Sequence, residues 1–292
     1  MLMRHVIKQI TSLVTVMIFA MAVADAGAYA RAKSKKIRTD EETEFTVIVD
    51  AGHGGKDYGC VGKRTNEKTI TLDVARRLAK KINDNCAGVK AQLTRDGDYF
   101  LTLQERADRA NHAHGDLFIS IHVNSVDRRS KGRESVHGTS VYALGADKAQ
   151  KTMGVAMREN AVMEMEDDYS TVYRGFDPGS SESYIIFELS NDLHLNQSLD
   201  FASLAQDQLV SYAGRADKGV RQAGFWVLWA TAMPSVLVEL DFICNPVQEN
   251  FLNSEEGREK CAEALYRAVC RYHESLVQRS VSRPVTAAGK PA

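Results

Sequence analysis

An apolar strand that runs directly into a glycine turn constrains this chain more than any other feature. Residues 46–55 read TVIVDAGHGG, and their β-branched, apolar positions predict a strand from about Phe45 to Val49. Glycines on both sides of His53 allow the backbone to turn sharply and a large molecule to approach closely. Ligands usually bind at the carboxyl ends of buried strands in α/β folds. His53 is therefore either a binding residue or an ordinary turn residue with its ring in solvent.

Strands and helices alternate along the rest of the chain. A helix is predicted to begin near Asn66, because asparagine is a good helix cap and Glu67 suits the first turn. Further strands are predicted at 89–93, 117–123, 139–144, 225–228 and 235–242, and further helices at 103–114, 147–163, 198–216 and 255–277. This order predicts a single α/β domain with a mostly parallel, twisted central sheet flanked by helices.

Two residues join His53 as candidate metal ligands. Glu67 lies on the same helix face as Ile70, and a carboxylate on a buried face is costly unless it is paired or bound to a cation. His122 follows the mainly apolar residues 117–121, at a strand end that matches that of His53. Two imidazoles and one carboxylate are a common catalytic zinc set with a fourth position open. The structural alternatives are a helix-dipole role for Glu67 and a hydrogen-bonded histidine at the strand end.

Glu239 is the fourth candidate residue. It lies inside the hydrophobic segment 235–242, where an unpaired carboxylate would be expensive to bury. The structural alternative is a glutamate that is paired with a backbone donor or an arginine.

The N-terminus has the pattern of a secretory signal. Arg4 and Lys8 precede an apolar stretch at 10–23, and Ala28 and Ala30 fit a cleavage site. The stretch is too short for a comfortable membrane span, so we expect export to the periplasm with cleavage near Ala30 rather than a retained anchor. The net charge of −1 offers no electrostatic reason to expect a nucleic-acid partner. The predicted organisation is a signal peptide at 1–30, a linker at 31–44, a folded domain at 45–278 and a disordered tail at 279–292.

The five cysteines do not form a C-x-x-C pair, which argues against a thiolate zinc knuckle. Cys261 and Cys270 lie nine positions apart on one predicted helix, too far to bridge each other. The sequence leaves the pairing of the cysteines open.

Several motifs together resemble the zinc-dependent N-acetylmuramoyl-L-alanine amidases, a family of bacterial cell-wall enzymes. They occur in the order of that family and cover the chain from about Thr46 to Tyr272. The matching stretches are IVDAGHGG at 48–55, the helix start at 66–67, LTR at 93–95 with LxxR at 103–106, FISIHVN at 118–124, and VLVExxFxxNP at 236–246.

The resemblance implies one zinc ion on His53, Glu67 and His122, with Glu239 as the catalytic carboxylate. It implies a single α/β domain that hydrolyses the amide bond between N-acetylmuramic acid and L-alanine in peptidoglycan, in wall remodelling such as daughter-cell separation. We also expect Asn124, at the end of the His122 motif, to contact the substrate.

Residues 164–196, here called the inserted segment, interrupt the alternation of strands and helices. Some amidases of this family carry an insertion at this place that covers the zinc cleft until a periplasmic activator displaces it. Because the segment opens with acidic residues, Glu164 or Glu166 is expected to occupy the open zinc position. The alternative is a solvated acidic loop.

Two other functions fit the same residues. A zinc carboxypeptidase acting on the peptidoglycan stem peptide would use the same metal set, with Arg95 or Arg174 as candidates for binding substrate. A catalytically inactive wall-binding module would be favoured by the loss of one ligand, but all four expected positions are filled.

Overall fold

The computed structural model describes residues 44–145, 150–185, 187 and 193–281. The predicted signal peptide, residues 31–43 of the predicted linker and residues 282–292 of the predicted tail lie outside these ranges, so those assignments stay predictions. Within the described ranges, no helix combines the length and the apolar character needed to cross a bilayer.

A six-stranded sheet forms the centre of the described residues. β4 pairs antiparallel with β6, and the other pairings in the sheet are parallel. The predicted α/β domain with a mostly parallel sheet is therefore confirmed. The strands, in the spatial order β2-β1-β3-β6-β4-β5, are β1 (Phe45–Ala51), β2 (Val89–Leu93), β3 (Leu117–Asn124), β4 (Thr139–Leu144), β5 (Asp217–Ala223) and β6 (Ser235–Phe242).

Helices cover both faces of the sheet. α1, α5 and α8 pack on the face that buries Val49 and Val238, while α2, α3 and α6 pack on the face that buries Ile48 and Leu237. Neighbouring residues of a strand thus enter different cores, as the alternation of side chains requires. The helices are α1 (Glu67–Asn85), α2 (Leu103–His112), α3 (Gln150–Asn160), α4 (Tyr169–Val172), α5 (Leu195–Ser211), α6 (Trp226–Trp229), α7 (Pro246–Asn253) and α8 (Glu255–Val281).

Parallel pairing brings the carboxyl ends of β1, β3 and β6 to one edge of the sheet. Ala51 pairs with Ile121 in the β1–β3 ladder, and His122 pairs with Glu239 in the β3–β6 ladder. The side chains just after β1 and those towards the carboxyl ends of β3 and β6 therefore meet at this edge. Ligand-binding and catalytic sites usually lie at this edge in folds of this class.

Two predictions near the carboxyl end of the chain were wrong. Residues 225–228 were expected to form a strand, but Trp226–Trp229 is the short helix α6. The strand lies earlier, at Asp217–Ala223, where the polar sequence DKGVRQA lacks the apolar alternation of a half-buried strand. This strand lies at the edge of the sheet, where burial does not select apolar residues. Helix α8 extends to Val281, so residues 279–281 of the predicted tail are helical.

Aromatic packing anchors the inserted segment to the sheet. Tyr173 and Phe176 are buried, and their ring centroids lie 4.8 and 5.4 Å from that of Trp226. Such edge-on and tilted contacts stabilise beyond the area they bury. The described part of the segment around these rings is thus packed over this face of the sheet and is not a solvated loop.

Candidate metal centre

The turn after β1 holds His53 in an uncommon backbone conformation. Its φ is 63°, and Gly54 and Gly55 follow at 130° and 56°. Arg106 stabilises the turn by donating from Nη2 to the His53 carbonyl oxygen at 2.7 Å. Asp57 Oδ2 lies 2.7 Å from His53 Nδ1, which leaves Nε2 directed into the site.

Helix α1 begins at Glu67 and buries this carboxylate completely. Asn66 caps the helix by accepting a hydrogen bond from the Thr69 backbone N–H. The backbone N–H groups of Cys60 and Val123 donate to Oε2 and Oε1 of Glu67, each at 2.7 Å. The prediction that Glu67 lies on the buried face of this helix is therefore confirmed.

Strand β3 carries His122 to the same edge of the sheet. The ring centroids of His53 and His122 lie 4.8 Å apart, with their planes at 74°. Gly52 provides the space, because a Cβ atom there would lie 2.5 Å from His122 Nε2. A Cβ atom at Gly59 would lie 2.6 Å from His53 Cδ2 and 2.7 Å from Glu67 Oε2. At both positions the backbone passes so close to these side chains that a residue with a Cβ atom would clash with them.

A fourth side chain, Glu159 of α3, completes the cluster. His53 Nε2 lies 3.1 Å from Glu67 Oε1 and 3.3 Å from Glu159 Oε2. His122 Nδ1 lies 3.2 and 3.1 Å from the same two oxygens. All four residues are buried. The fold therefore brings the three predicted ligands together and adds a second carboxylate.

The four donor atoms all lie within 4.8 Å of one another, close enough to share one metal ion. Donors about 2.0–2.1 Å from a zinc ion stand about 3.3 Å apart in a tetrahedron, and the four nitrogen–oxygen distances of the cluster are close to that value. His53 Nε2 and Glu159 Oε2 are buried, and neither makes a hydrogen bond to any residue that the structure describes. Such atoms are costly unless another partner satisfies them. The cluster therefore fits a divalent cation of the zinc type.

Burial and mutual attraction shift the pKa values in the cluster in opposite directions. Burial opposes ionisation of Glu67, but the positive charge of His53 brings the pKa of Glu67 down to about 2. Burial also opposes ionisation of Glu159, yet Arg158 and His122 hold its pKa well below the usual range. Both carboxylates are therefore ionised at neutral pH, and the space between them favours positive charge.

Glu239 lies beside the cluster on β6. Its side chain is buried, and within the described ranges its Oε2 atom makes no hydrogen bond. Burial, assisted by the negative charge of Glu159, raises the pKa of Glu239 to about 8. A carboxyl group that titrates near neutral pH is suited both to accept and to donate a proton.

Arg158 occupies the space next to Glu239 and Asn124. Its Nη2 atom lies 3.1 Å from Asn124 Oδ1 and 3.5 Å from Glu239 Oε1. Its Nη1 atom donates to the Ser125 carbonyl oxygen at 3.0 Å. Two adjacent residues of α3, Arg158 and Glu159, therefore contact four side chains around the cleft: His53, His122, Asn124 and Glu239.

The acidic residues expected at the open metal position lie elsewhere. Glu164 is exposed to solvent. Glu166 accepts hydrogen bonds from the Tyr173 hydroxyl at 2.7 Å and from the Leu103 backbone N–H at 3.2 Å. The carboxylate beside the two histidines belongs instead to Glu159, in the helix that precedes the inserted segment.

The sequence did carry a signal for Glu159. Thr152, Ala156, Glu159 and Met163 are all buried and recur at helical spacing. Like Glu67, Glu159 is a carboxylate on a buried helix face, and the same pattern in the sequence therefore indicates that it is buried. Asp57 had no such signal, because it lies in a loop without periodicity.

Of the two arginines proposed to bind a stem-peptide carboxylate, Arg95 is engaged within the fold. Arg95 is fully buried, and its Nε and Nη2 atoms donate to the carbonyl oxygens of Ala51 and Gly52 at 2.8 and 2.9 Å. Arg174 is exposed in the inserted segment. Arg95 therefore stabilises the turn that carries His53.

Comparison with known proteins relates this domain to one family. The family model described as N-acetylmuramoyl-L-alanine amidase matches residues 47–271. N-acetylmuramoyl-L-alanine amidase AmiA of Escherichia coli (strain K12) is 32% identical over 230 residues, which cover 77% of this chain and 75% of the relative. The uncharacterized protein YqiI of Bacillus subtilis (strain 168) is 33% identical over 229 residues, which cover 78% of this chain and 85% of the relative.

A solved structure extends the likeness to the fold. N-acetylmuramoyl-L-alanine amidase AmiC2 of Nostoc punctiforme superposes with a TM-score of 0.58 at 27% sequence identity. The match covers 79% of this chain and 98% of that one.

Proposed function

The chain belongs to the N-acetylmuramoyl-L-alanine amidase family, and we propose that it hydrolyses the amide bond between N-acetylmuramic acid and L-alanine in peptidoglycan. The observation that carries this proposal is the convergence of His53, Glu67 and His122 on one point beside Glu239. Family membership supports the substrate class, and the donor set supports a hydrolytic metal centre.

We propose that His53, Glu67 and His122 hold one zinc ion. When bound, zinc supplies Lewis-acid polarisation of the scissile carbonyl and lowers the pKa of water at the site. Asp57 orients the His53 ring, and two backbone N–H groups hold the Glu67 carboxylate. The ligands are therefore in place before the metal arrives, which reduces the cost of binding it.

Glu239 serves as the general base and then as the general acid. Its Oε2 atom takes a proton from the attacking water and passes it to the departing nitrogen of L-alanine. Because Oε2 makes no hydrogen bond to the described part of the chain, no competing contact there has to break for this transfer. Asn124 contacts the substrate in the space that Arg158 now occupies.

Glu159 and Arg158 support a resting state that is autoinhibited. Glu159 Oε2 stands where water or substrate must enter, and Arg158 contacts Asn124 and Glu239. Turnover then requires α3 to leave the cleft together with the inserted segment that follows it. A periplasmic activator protein that displaces both would supply the energy of opening through its own contacts.

Export of the protein to the periplasm would bring it to its proposed substrate in the cell wall. Residues 1–30 would act as the signal peptide and residues 31–44 as a linker, and the catalytic domain would run from residue 45 to the end of α8. The mature enzyme would act on the wall in the periplasm without a membrane span.

Digestion of purified sacculi tests the activity. The chain from residue 31 and its Glu159→Ala variant are incubated with sacculi, with and without EDTA, and the soluble products are identified by mass spectrometry. We expect free stem peptides that begin with L-alanine and glycan with unsubstituted lactyl groups. Both products should disappear with EDTA and return with added Zn²⁺.

The products also separate the alternatives. Stem peptides shortened at their carboxyl ends, with the lactyl bond intact, would contradict the proposal and indicate a carboxypeptidase. Absence of any product from the Glu159→Ala variant with zinc bound would indicate a wall-binding module.

A further inference from the structure

Two cysteines far apart in the chain meet at one end of the α1–α8 helix pair. Cys86 is the carboxyl-terminal cap of α1, and Cys270 lies in α8, 184 positions later. Their Sγ atoms lie 2.7 Å apart, and both side chains are half-buried. A disulfide joins its sulfurs at about 2.05 Å, so a small movement of the side chains would bring the two atoms within bonding distance.

Ion pairs hold the two helices side by side ahead of the cysteines. Asp73 Oδ2 lies 2.7 Å from Arg258 Nη1. Two turns later on α1, Lys81 Nζ lies 2.9 Å from Glu263 Oε2. Positions increase along both helices from one contact to the next, so α1 and α8 run in the same direction.

The backbone near Cys86 is fixed as well. The Tyr266 hydroxyl, one turn before Cys270, donates to the carbonyl oxygen of Asn85 at 3.2 Å. The Cys86 N–H donates to the Ile82 carbonyl oxygen at 2.9 Å, and the Val89 N–H donates to the Cys86 carbonyl oxygen at 3.1 Å. The contact between the thiols is therefore set by two anchored segments of backbone.

We propose that Cys86 and Cys270 form an intramolecular disulfide in the exported protein, an inference that rests on the export proposed above. The oxidant is a protein dithiol oxidase in its disulfide form, the class that acts in oxidising compartments. The disulfide would tie the first helix of the domain to its last helix and thus link the two ends of the fold.

The exchange proceeds in two balanced steps. The Cys270 thiolate attacks one sulfur of the oxidant, so a mixed disulfide forms and the second sulfur of the oxidant leaves as a thiolate. Cys86 then loses its proton and attacks Cys270 Sγ, so the Cys86–Cys270 bond forms and the oxidant leaves reduced. Overall, the two cysteines lose two electrons and two protons, and the oxidant gains both.

The other three cysteines lie in different surroundings. Cys244 is buried and donates from Sγ to the Arg133 carbonyl oxygen at 3.3 Å. Cys261 is buried in the core, and Cys60 adjoins Glu67 at the metal centre. These three are expected to stay thiols.

Thiol counting tests the proposal on the full chain, expressed with its own N-terminus and recovered from the bacterial periplasm. The protein is alkylated in denaturant without reductant and mapped by mass spectrometry. We expect three of the five cysteines to be alkylated, and one peptide pair to be joined through Cys86 and Cys270. Five alkylated cysteines, or a linkage through any other pair, would overturn the proposal.

Variants and a stability measurement provide an independent readout. In a Cys86→Ser or a Cys270→Ser chain all four remaining cysteines should be alkylated, whereas the control Cys244→Ser should keep the linked pair. Reductant should lower the Tm of the wild type and of this control by roughly 5–15 °C, and should leave a Cys86→Ser/Cys270→Ser chain unchanged. If reductant lowered the Tm of the double variant as much as that of the wild type, the assignment would be overturned. Neither readout requires amidase activity, so failure of the disulfide and failure of the proposed function are separate results.

Discussion

His122 and Glu239 are register partners in the parallel ladder between β3 and β6. Paired residues of a parallel ladder project to the same face of a sheet, and this pair lies in the carboxyl-terminal half of both strands. The preceding pair, Ile121 and Val238, projects to the other face and into the core. Backbone hydrogen bonds therefore fix the spacing between a proposed metal ligand and the proposed general base, which a flexible loop would not do.

Replacing Glu239 by glutamine should remove most turnover and leave the metal bound. The amide keeps the shape of the side chain but cannot relay a proton, and general acid–base catalysis contributes roughly 10²–10⁴ in rate. The rate of release of stem peptides is measured in a Glu159→Ala background, and the zinc content is measured by elemental analysis. If the chain with both Glu239→Gln and Glu159→Ala cleaved sacculi nearly as fast as the chain with Glu159→Ala alone, Glu239 would be excluded as the base.

Removing the Glu159 carboxylate should raise basal activity about tenfold or more. Glu159 Oε2 lies 3.3 and 3.1 Å from the two histidine nitrogens, so its loss vacates the position that substrate needs. A tenfold gain would mean that the Glu159 carboxylate stabilises the closed, inactive state relative to the open state by about 1.4 kcal/mol. The matched control is Glu164→Ala, which changes an exposed carboxylate a few residues away. Equal rates for Glu159→Ala and the control would refute autoinhibition by Glu159.

Replacing Asp57 by asparagine should weaken zinc binding by roughly 10–100-fold, because Asp57 orients the His53 ring through Nδ1 at 2.7 Å. The dissociation constant is measured by competition with a chromophoric chelator. The control Asp84→Asn, on the exposed end of α1, should bind zinc like the wild type. Unchanged affinity in Asp57→Asn would show that His53 needs no orienting carboxylate.

Replacing Asp50 by asparagine should destabilise the fold by roughly 3–5 kcal/mol at pH 7, because it leaves the buried Arg106 without its counter-charge. Burial alone would raise the pKa of Asp50, but Arg106 together with the Thr94 and Ser120 hydroxyls lowers it below the ordinary value. A lowered pKa in the folded state means that this stabilisation is present above about pH 4, the unfolded value, and is lost as the pH falls below it.

Urea unfolding of the wild type and Asp50→Asn at pH 7 and near pH 3 checks this prediction. The difference in free energy of unfolding between the two chains should narrow at the lower pH. A difference that stays constant or grows on acidification would contradict an ionised Asp50 in the folded protein.

The sequence by itself determined the α/β class, the convergence of His53 and His122 at matching strand ends, and the burial of Glu67. These features follow from local periodicity, since an apolar run of five to eight residues defines a strand and a carboxylate on an apolar helix face must be buried. Glu239 belongs with them, because it interrupts the apolar segment that became β6.

Only the tertiary structure decided that the buried Glu159 meets the two histidines, where the last edge strand runs and which cysteines meet. Glu159 of α3 meets His53 and His122 through contacts between segments that are far apart in sequence. Cys86 meets Cys270 because ion pairs align helices that are far apart in sequence. Contacts of this kind join segments that are far apart in the chain. Periodicity in the sequence predicts that a side chain is buried, but it does not predict which residue that side chain will contact.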